Sequence, residues 1–173
     1  MISLIIAYYK NLPALELLLQ GYALQSEKNV EIIIAEDAQD EETNTFLSRW
    51  RTQSELKIKH VSQEDKGFRK TRILNKAIEI SEGEYIVFTD GDCIPHQHFI
   101  RAYKNAQKEG YALFGRRIML SKKITQQLLS NNKVQIPSLI QLKKSGSKKI
   151  KYSLYLPFIK QEREEGIWGC NWG

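Results

Sequence analysis

The chain has 173 residues, of which 42% are apolar and 4 are proline, and this length and composition fit one compact globular domain. Its apolar start, MISLIIAYY, is far shorter than the roughly 20 residues of a membrane span, and it lacks the basic start and cleavage site of a secretory signal. These features predict a cytoplasmic protein. Cys93 and Cys170 have no metal-type spacing, so we expect two free thiols rather than a disulfide or a zinc site.

The formal net charge is +6, and the excess of positive charge lies in one segment. Residues 122–151 contain eight lysines and no acidic residue. A lysine run such as KKSGSKKIK is most often a solvated loop, and the functional alternative is attraction to anionic lipid headgroups or to a phosphate-bearing substrate. Residues 143–151 are therefore a candidate for peripheral contact with an anionic membrane. Nucleic acid is not expected, because the segment has no aromatic residue before Tyr152 on which a base could stack.

Short β-branched runs alternate with helical patterns over the first 120 residues, which predicts an α/β fold with a mostly parallel sheet and crossover helices. The first predicted strand is SLIIAY, and Asn11 and Pro13 then begin a helix. The second is VEIIIAED, after which acidic QDEET favours the start of a helix that buries Phe46, Leu47 and Trp50. The alternating run LKIKHV predicts a third, more exposed strand.

The pattern continues with a helix over GFRKTRILNKAIEIS, in which we expect one side to carry Ile73, Leu74, Ala77 and Ile78. The glycine of SEGE ends this helix before the strand EYIVFT. Phe99 then marks another helix, and YALFGRRIML predicts another strand. From about Ser121 the pattern supports only one short helix. We therefore divide the chain into an α/β part, residues 1–120, and a part with a lysine-rich loop, residues 121–173.

Polar or aromatic side chains follow three of the predicted strands where each strand ends. The three pairs are Tyr8 and Tyr9, Glu36 and Asp37, and Asp90 and Asp92. In an open α/β sheet, ligands bind beyond the carboxyl ends of the strands, because the loops converge there while the sheet stays rigid. Residues i and i+2 of an extended segment project to the same side, so Asp90 and Asp92 can share one target.

Asp90 and Asp92 predict a site for a divalent cation. Two carboxylates 4 Å apart repel by about 4 kcal/mol at an effective dielectric constant near 20, and a cation between them relieves this repulsion. Hard oxygen ligands suit Mg²⁺ or Mn²⁺, which bridge carboxylates to substrate phosphates. The alternative is that Asp-Gly-Asp is only a turn before Pro95, since all these residues favour turns. The apolar strand before it and the acidic end of the second strand favour the metal site.

Three blocks of the sequence resemble family 2 glycosyltransferases, and with GIWGCNWG they span most of the chain. The blocks are SLIIAYYKN, IIIAED and EDKGFRKTRILNKAIEISEGEYIVFTDGDCIPHQHFI. The portion GFRKTRILN is also similar to the nucleotide-binding stretch of β-1,4-galactosyltransferases, and TDGD resembles the metal-binding DXD motif of both groups. The resemblance implies the GT-A fold, a Rossmann-like, mostly parallel central sheet flanked by helices.

The resemblance also implies an activity of the kind found in polysaccharide biosynthesis. A hexose or N-acetylhexosamine would pass from a UDP-sugar to a glycan or lipid-linked acceptor, with a metal ion and with inversion. Residues 1–120 would form the donor-binding half, and residues 121–173 part of the acceptor side.

One end of the implied nucleotide-sugar site holds the base. Tyr9 and the backbone of Ala7 would flank the uracil, Asp37 would accept a hydrogen bond from its ring N–H, and Phe68 would add stacking. Each assignment has a structural alternative. In these alternatives, Tyr9 would pack against the first helix, Asp37 would cap the acidic helix start, and Phe68 would be a hydrophobic staple for the helix that follows it.

The other end of the implied site holds the diphosphate and the metal. Lys70 would place a cation near the diphosphate. Asp90 would hold ribose or sugar hydroxyls or a metal-bound water, whereas Asp92 would bind Mn²⁺ or Mg²⁺ directly; both are candidate metal ligands. The cation would neutralise the negative charge that develops on departing UDP. His96 and His98 follow closely, but we expect them to face solvent at a helix start.

The sequence departs from the family at the catalytic base. An inverting transferase needs a carboxylate to deprotonate the acceptor hydroxyl, yet no aspartate follows Asp92, and the later glutamates are Glu109, Glu162, Glu164 and Glu165. In relatives with a GCN-type motif, the acidic acceptor-site segment lies further along the chain. Two interpretations stay open: the chain is a donor-binding fragment, or Glu164 or Glu165 is the base.

Other functions fit parts of the pattern. An apolar strand followed by Asp-x-Asp also describes haloacid-dehalogenase-like phosphatases, but these place the motif on the first strand and need further aspartates downstream for Mg²⁺. A catalytically silent domain that binds a sugar nucleotide or a partner enzyme is a third class. A nucleotidyltransferase needs a glycine-rich, basic loop after the first strand, and AYYKNLP is a poor match.

Overall fold

The computed structural model describes residues 1–155 and 171–173, in which six strands form one sheet. The strands are β1 (Ile2–Tyr8), β2 (Val30–Glu36), β3 (Lys57–Ser62), β4 (Tyr85–Asp90), β5 (Phe114–Gly115) and β6 (Asn171–Trp172). Their order across the sheet is β3-β2-β1-β4-β6-β5. The first four are parallel, and β6 runs antiparallel to both β4 and β5. The predicted α/β fold with a mostly parallel sheet is confirmed.

The helices lie between and after the strands along the chain, and several of them cover the sheet. They are α1 (Leu12–Ala23), α2 (Glu41–Gln53), α3 (Lys70–Glu79), α4 (Phe99–Ala106), α5 (Lys122–Asn131), α6 (Leu139–Lys144) and a 3-10 helix (Ile150–Ser153). Asn11 caps α1 as the sequence predicts, because its side chain accepts a hydrogen bond from the Ala14 amide. None of the helices in the described ranges has the length and apolar character that crossing a bilayer requires.

The core lies on both faces of the sheet, which explains why β1 and β2 are buried along nearly their whole length. Leu4 and Ile6 point to the face covered by α1, α2 and α4. Ile5 points to the opposite face, where it packs with Ile73 and Ala77 of α3. This alternation with a period of two residues fixes the register of the central strands, since a slip by one residue would exchange the two faces.

Three details of the predicted elements were wrong. The helix α3 ends at Glu79 with Ile80 as its C-cap, so Gly83 of SEGE does not end it. Ile78 is 39% exposed, because it lies five residues after Ile73 and therefore roughly 140° around the helix from that buried residue. Of the stretch YALFGRRIML, only the two residues of β5 form a strand, paired with β6, while Met119 makes an isolated antiparallel bridge to Lys148. Trp172 of β6 stacks on Phe88 of β4, with ring centroids 4.1 Å apart.

Between residues 121 and 155 the structure contains two α-helices and a 3-10 helix, where the sequence predicted one short helix. Ser138 begins α6 in a capping box with Gln141, a Ser-x-x-Gln pattern that is visible in the sequence. Ile124 and Leu128 of α5 pack on Leu17 of α1, together with Ile94 from the segment that follows β4. The lysine-rich segment is thereby anchored beside the loop that carries Asp90 and Asp92.

Candidate functional site

The site forms where the carboxyl ends of three parallel strands meet. Ala7 of β1 lies in register with Ala35 of β2 on one side and with Asp90 of β4 on the other. The hydrogen-bond ladder continues beyond the strands, because the Asp37 amide donates to the Tyr8 carbonyl at 3.0 Å and the Gly91 amide to the Ala7 carbonyl at 2.8 Å. Backbone bonds therefore hold the Asp37 and Asp90 segments against the end of β1.

A cavity of about 320 Å³ opens at this edge of the sheet. Its wall includes all six residues that the sequence assigned to nucleotide-sugar binding, namely Ala7, Tyr9, Asp37, Phe68, Lys70 and Asp90. Asp65 and Gly67, from the loop before α3, complete the rim. The volume falls at the lower end of the range for small-molecule sites in proteins, roughly 300–1,000 Å³.

Asp37 is fixed at the back of the cavity by two hydrogen bonds. Its Oδ1 accepts from the Gln63 side-chain amide at 2.6 Å, and its Oδ2 accepts from the Arg69 backbone amide at 2.7 Å. The side chain is 7% exposed. The alternative that Asp37 caps α2 is wrong, since Asp40 holds that position and accepts from the Glu42 amide at 3.0 Å. Each carboxylate oxygen of Asp37 retains a second lone pair for a ligand donor.

Tyr9 stands at the rim of the cavity. Its ring is 55% exposed, so it does not pack into the α1 interface as the structural alternative required. Its hydroxyl donates to Asp65 Oδ2 at 3.2 Å, and the Lys10 ammonium contacts the same oxygen at 2.6 Å. The hydrogen bond from Lys10 holds the pKa of Asp65 below its usual range. Asp65 thus ties the loop before α3 to the end of β1.

Phe68 projects from that loop and is 90% exposed, so the hydrophobic-staple alternative is wrong. Gly67 before it has a φ of +75°, a left-handed conformation that glycine adopts without strain. The turn at Gly67 presents the aromatic ring at the mouth of the cavity. An exposed ring beside a cavity offers a flat apolar face to a planar ligand.

Lys70 and Asp90 form an ion pair inside the cavity. The Lys70 ammonium contacts Asp90 Oδ1 closely, and the two side chains are 39% and 37% exposed. Lys70 is the first residue of α3, where a cation is unfavourable against the helix dipole. An anionic partner offsets that cost, and Asp90 is such a partner.

The Asp90-Gly91-Asp92 stretch is both a turn and the floor of the site. The Cys93 amide donates to the Asp90 carbonyl at 3.2 Å, which closes the turn. A Cβ atom on Gly91 would lie 2.9 Å from the Ala7 carbonyl oxygen, closer than side-chain carbons approach in proteins. Only glycine therefore lets this turn lie against the end of β1.

A second cavity of about 250 Å³ adjoins the first and shares Ala7, Tyr8, Tyr9 and Asp90 with it. Its own wall residues are Asn11, Gly91, Asp92 and Arg117. The sequence analysis missed Arg117, which follows β5 and is distant from Asp92 in the chain. The signal that could have found it is the pair of adjacent basic residues, Arg116 and Arg117, inside the predicted strand YALFGRRIML.

Three potential metal-ligand atoms cluster at the second cavity. They belong to Asp90, Asp92 and Cys93 and lie within 4.8 Å of one another. Two carboxylates at an open site suit Mg²⁺ or Mn²⁺, which keep several water ligands. Cys93 was not expected near the site; its thiol donates to Asp92 Oδ1 at 3.4 Å and is a softer ligand than either cation prefers. The donor set therefore fits a hard divalent cation on the two aspartates.

Several other candidates lie away from this cluster. Glu36 is buried and contacts His60 Nε2 at 3.0 Å, because it points to the sheet face opposite to Asp37. His96 and His98 are half-buried rather than solvent-facing, and their rings lie 5.8 and 5.0 Å from the ring of Tyr155. Burial lowers the pKa of His96.

The two candidates for the catalytic base, Glu164 and Glu165, lie outside the described residues, as does most of GIWGCNWG. Among the residues that the structure describes, Asp90 and Asp92 are the ones whose carboxylates line the second cavity. Both fit the metal better than the role of a base, because they converge on one point.

Comparison with known sequences gives a family match. The sequence model described as "Glycosyl transferase family 2" matches residues 3–165. No curated protein matches the chain.

Comparison with solved structures gives similar folds. TarS 1-349 from S. aureus has a TM-score of 0.58 and 18% identity, and the match covers 79% of this chain and 38% of that one. A mannosyltransferase from Pyrobaculum calidifontis, PcManGT, solved with GDP-Man and Mn²⁺, has a TM-score of 0.58 and 23% identity, with 76% and 37% covered. TarS 1-349 with UDP-GlcNAc has a TM-score of 0.52 and 18% identity, with 79% and 37% covered. The likeness shows a shared fold, and the chain spans less than two fifths of the length of either protein.

The first prediction concerns Asp37. In Asp37→Asn, the new amide group faces one of the two N–H donors that the carboxylate now satisfies, so a buried donor loses its partner. We expect the free energy of unfolding to fall by about 1–3 kcal/mol in chemical denaturation. Asp92→Asn is the control, since Asp92 is exposed and should change stability by no more than about 0.5 kcal/mol. Equal stability of Asp37→Asn and wild type would contradict the described bonds.

Proposed function

The chain belongs to glycosyl transferase family 2, and we propose that it binds a UDP-sugar and takes part in transferring its hexose or N-acetylhexosamine to a glycan or lipid-linked acceptor. The observation that supports this most is the cavity at the carboxyl ends of β1, β2 and β4, whose wall combines an aromatic mouth, a buried carboxylate and an acidic turn. We propose that residues 1–120 hold the donor and residues 121–173 contribute to the acceptor side.

The base of the nucleotide lies, in this proposal, between Tyr9, the Ala7 backbone and Phe68. Asp37 accepts a hydrogen bond from the ring N–H of uracil. Cytosine and adenine carry a lone pair instead of a hydrogen at the corresponding ring nitrogen, so they would meet the carboxylate with repulsion. The bonds from Gln63 and Arg69 hold Asp37 in place before the ligand arrives, which reduces the entropy cost of binding.

The diphosphate lies between the two cavities, where positive charge is available. Asp92, with Asp90, would hold Mn²⁺ or Mg²⁺, and the bound cation would neutralise negative charge on the leaving UDP. Lys70 and Arg117 flank these aspartates and add donors for phosphate oxygens. PcManGT, which shares this fold, was solved with GDP-Man and Mn²⁺, and this supports a divalent cation as the companion of the nucleotide sugar.

The reaction proposed is a direct displacement with inversion. A carboxylate base takes the proton of the acceptor hydroxyl, the acceptor oxygen bonds to the anomeric carbon, and the bond from that carbon to the β-phosphate oxygen breaks. Glu164 and Glu165 are the candidates for the base in this chain. The phosphatase alternative fits poorly, because the Asp-x-Asp motif follows β4 rather than the first strand.

We also propose that the lysine-rich segment brings the protein to the cytoplasmic face of a membrane, where lipid-linked acceptors are found beside anionic lipids. All eight of its lysines are exposed. Residues 143–151 contain five of them on and after α6, and Ile136 and Ile140 nearby are exposed at 60% and 68%. Basic and apolar side chains on one surface favour the boundary of an anionic bilayer. The same charge would attract an acceptor that carries phosphate.

The second prediction tests the donor site. Calorimetry with UDP should give binding that depends on Mn²⁺, because the cation links the diphosphate to Asp92. Asp92→Asn should weaken this Mn²⁺-dependent binding at least about tenfold, since even an indirect metal contact is usually worth that factor. Asp40→Asn is the matched control, because asparagine caps a helix as well as aspartate does. Heat of UDP binding that is unaffected by Mn²⁺ and by Asp92→Asn would contradict the proposal.

The third prediction tests the membrane surface. The protein should sediment with vesicles of phosphatidylserine and phosphatidylcholine and should dissociate from them as the salt concentration rises. Replacing Lys148 and Lys149 by glutamine should lower the partition coefficient about thirtyfold, given roughly 1 kcal/mol for each lysine near an anionic surface. Replacing the exposed Lys57 and Lys108 in the same way is the control. Equal binding to pure phosphatidylcholine, or equal losses in both variants, would overturn the proposal.

A further inference from the structure

The ion pair between Lys70 and Asp90 joins a nucleotide-binding residue to a metal-binding one. The Lys70 ammonium contacts Asp90 Oδ1, and a carboxylate oxygen of Asp90 belongs to the cluster with Asp92 and Cys93. We propose that Lys70 is an internal counter-ion that competes with the divalent cation for Asp90 and moves to the diphosphate when the nucleotide binds. Nucleotide and metal therefore bind cooperatively. This inference rests on the proposed function and adds a coupling between its two ligands.

The position of Lys70 supports this role. It begins α3, where the helix dipole opposes a positive charge, so the ammonium needs a negative partner in the cavity. Lys70 and Asp90 both line the larger cavity, and Asp90 also lines the smaller one. A lysine carries its charge on a flexible four-carbon stem, so the ammonium can reach a diphosphate in the same cavity without movement of the helix.

Charge balance explains why the two ligands assist each other. An ammonium on Asp90 removes part of the negative potential that attracts a divalent cation, and the two positive charges repel at this short range. A diphosphate supplies negative charge to both the Lys70 ammonium and the divalent cation, so Lys70 can leave Asp90 at little cost in free energy. By thermodynamic linkage, the factor by which nucleotide raises the affinity for metal equals the factor by which metal raises the affinity for nucleotide.

Lys10 provides a matched comparison. It forms the same kind of ion pair at the same rim, with its ammonium 2.6 Å from Asp65 Oδ2. Asp65 lines the larger cavity and lies outside the cluster formed by Asp90 and Asp92. Loss of the Lys10 charge therefore changes the local potential in a similar way but frees no metal-ligand oxygen.

The fourth prediction is a set of Mn²⁺ affinities, measured by electron paramagnetic resonance of the free ion in titrations with and without saturating UDP. Without UDP, Lys70→Met should bind Mn²⁺ at least about fivefold tighter than wild type, the lower end of typical coupling between sites. With UDP this advantage should disappear, because Lys70→Met also loses its contact with the diphosphate. Lys10→Met and the charge-conserving Lys70→Arg should follow wild type in both titrations.

The outcomes separate the inference from the proposed function. If wild type binds Mn²⁺ and UDP but Lys70→Met binds Mn²⁺ no tighter without UDP, the competition is wrong and the donor site stands. If wild type binds neither ligand, the proposed function fails and the inference fails with it. A purely structural role would weaken both ligands in Lys70→Met and lower its unfolding temperature, and that result would also overturn the competition.

Discussion

The parallel register of β1 with both of its neighbours is the constraint on which the site depends. Ala7 is paired on one side with Ala35 and on the other with Asp90, and backbone bonds extend the ladder to Asp37 and Gly91. Residues far apart in sequence are thereby held at one edge by main-chain bonds, whatever their side chains. The apolar residues that alternate between the two faces fix this register, so the core determines the geometry of the site.

Three carboxylates of the site have hydrogen-bond or ion-pair partners within the protein itself. Asp37 is satisfied by neutral N–H donors, whereas Asp65 and Asp90 each hold a lysine ammonium. A buried carboxylate bonded to fixed amides is a rigid recognition element, because its partners belong to the backbone and to a packed loop. The carboxylates paired with lysines are different, since flexible ammonium groups can be exchanged for a metal ion or a phosphate. We infer that recognition of the base is preorganised and that the charged end of the site rearranges.

Sequence reasoning predicted the four parallel strands, the first four helices and the edge where the site forms, because these follow from local periodicity and from the rule that parallel strands end together. It also named six of the residues that line the main cavity, whereas Asp65 and Gly67 of its rim were not predicted. It could not predict that Arg117 reaches the site, since this depends on tertiary packing between segments far apart in the chain. Cys93 is adjacent to Asp92 in sequence, but the direction of its thiol toward Asp92 Oδ1 depends on the geometry of the turn. The sequence reasoning also missed that the Glu36 side chain points to the sheet face opposite to Asp37, although adjacent residues of a strand project to opposite faces of the sheet.

The central claim is that one nucleotide diphosphate and one divalent cation share the edge formed by β1, β2 and β4. Crystals of the protein grown with UDP and Mn²⁺, measured at the manganese absorption edge, test it most directly. We expect one anomalous peak about 2.0–2.3 Å from an Asp92 carboxylate oxygen, with the uracil ring beside Phe68 and its N–H directed at Asp37. A nucleotide bound elsewhere, or bound here with its manganese away from Asp92, would contradict it.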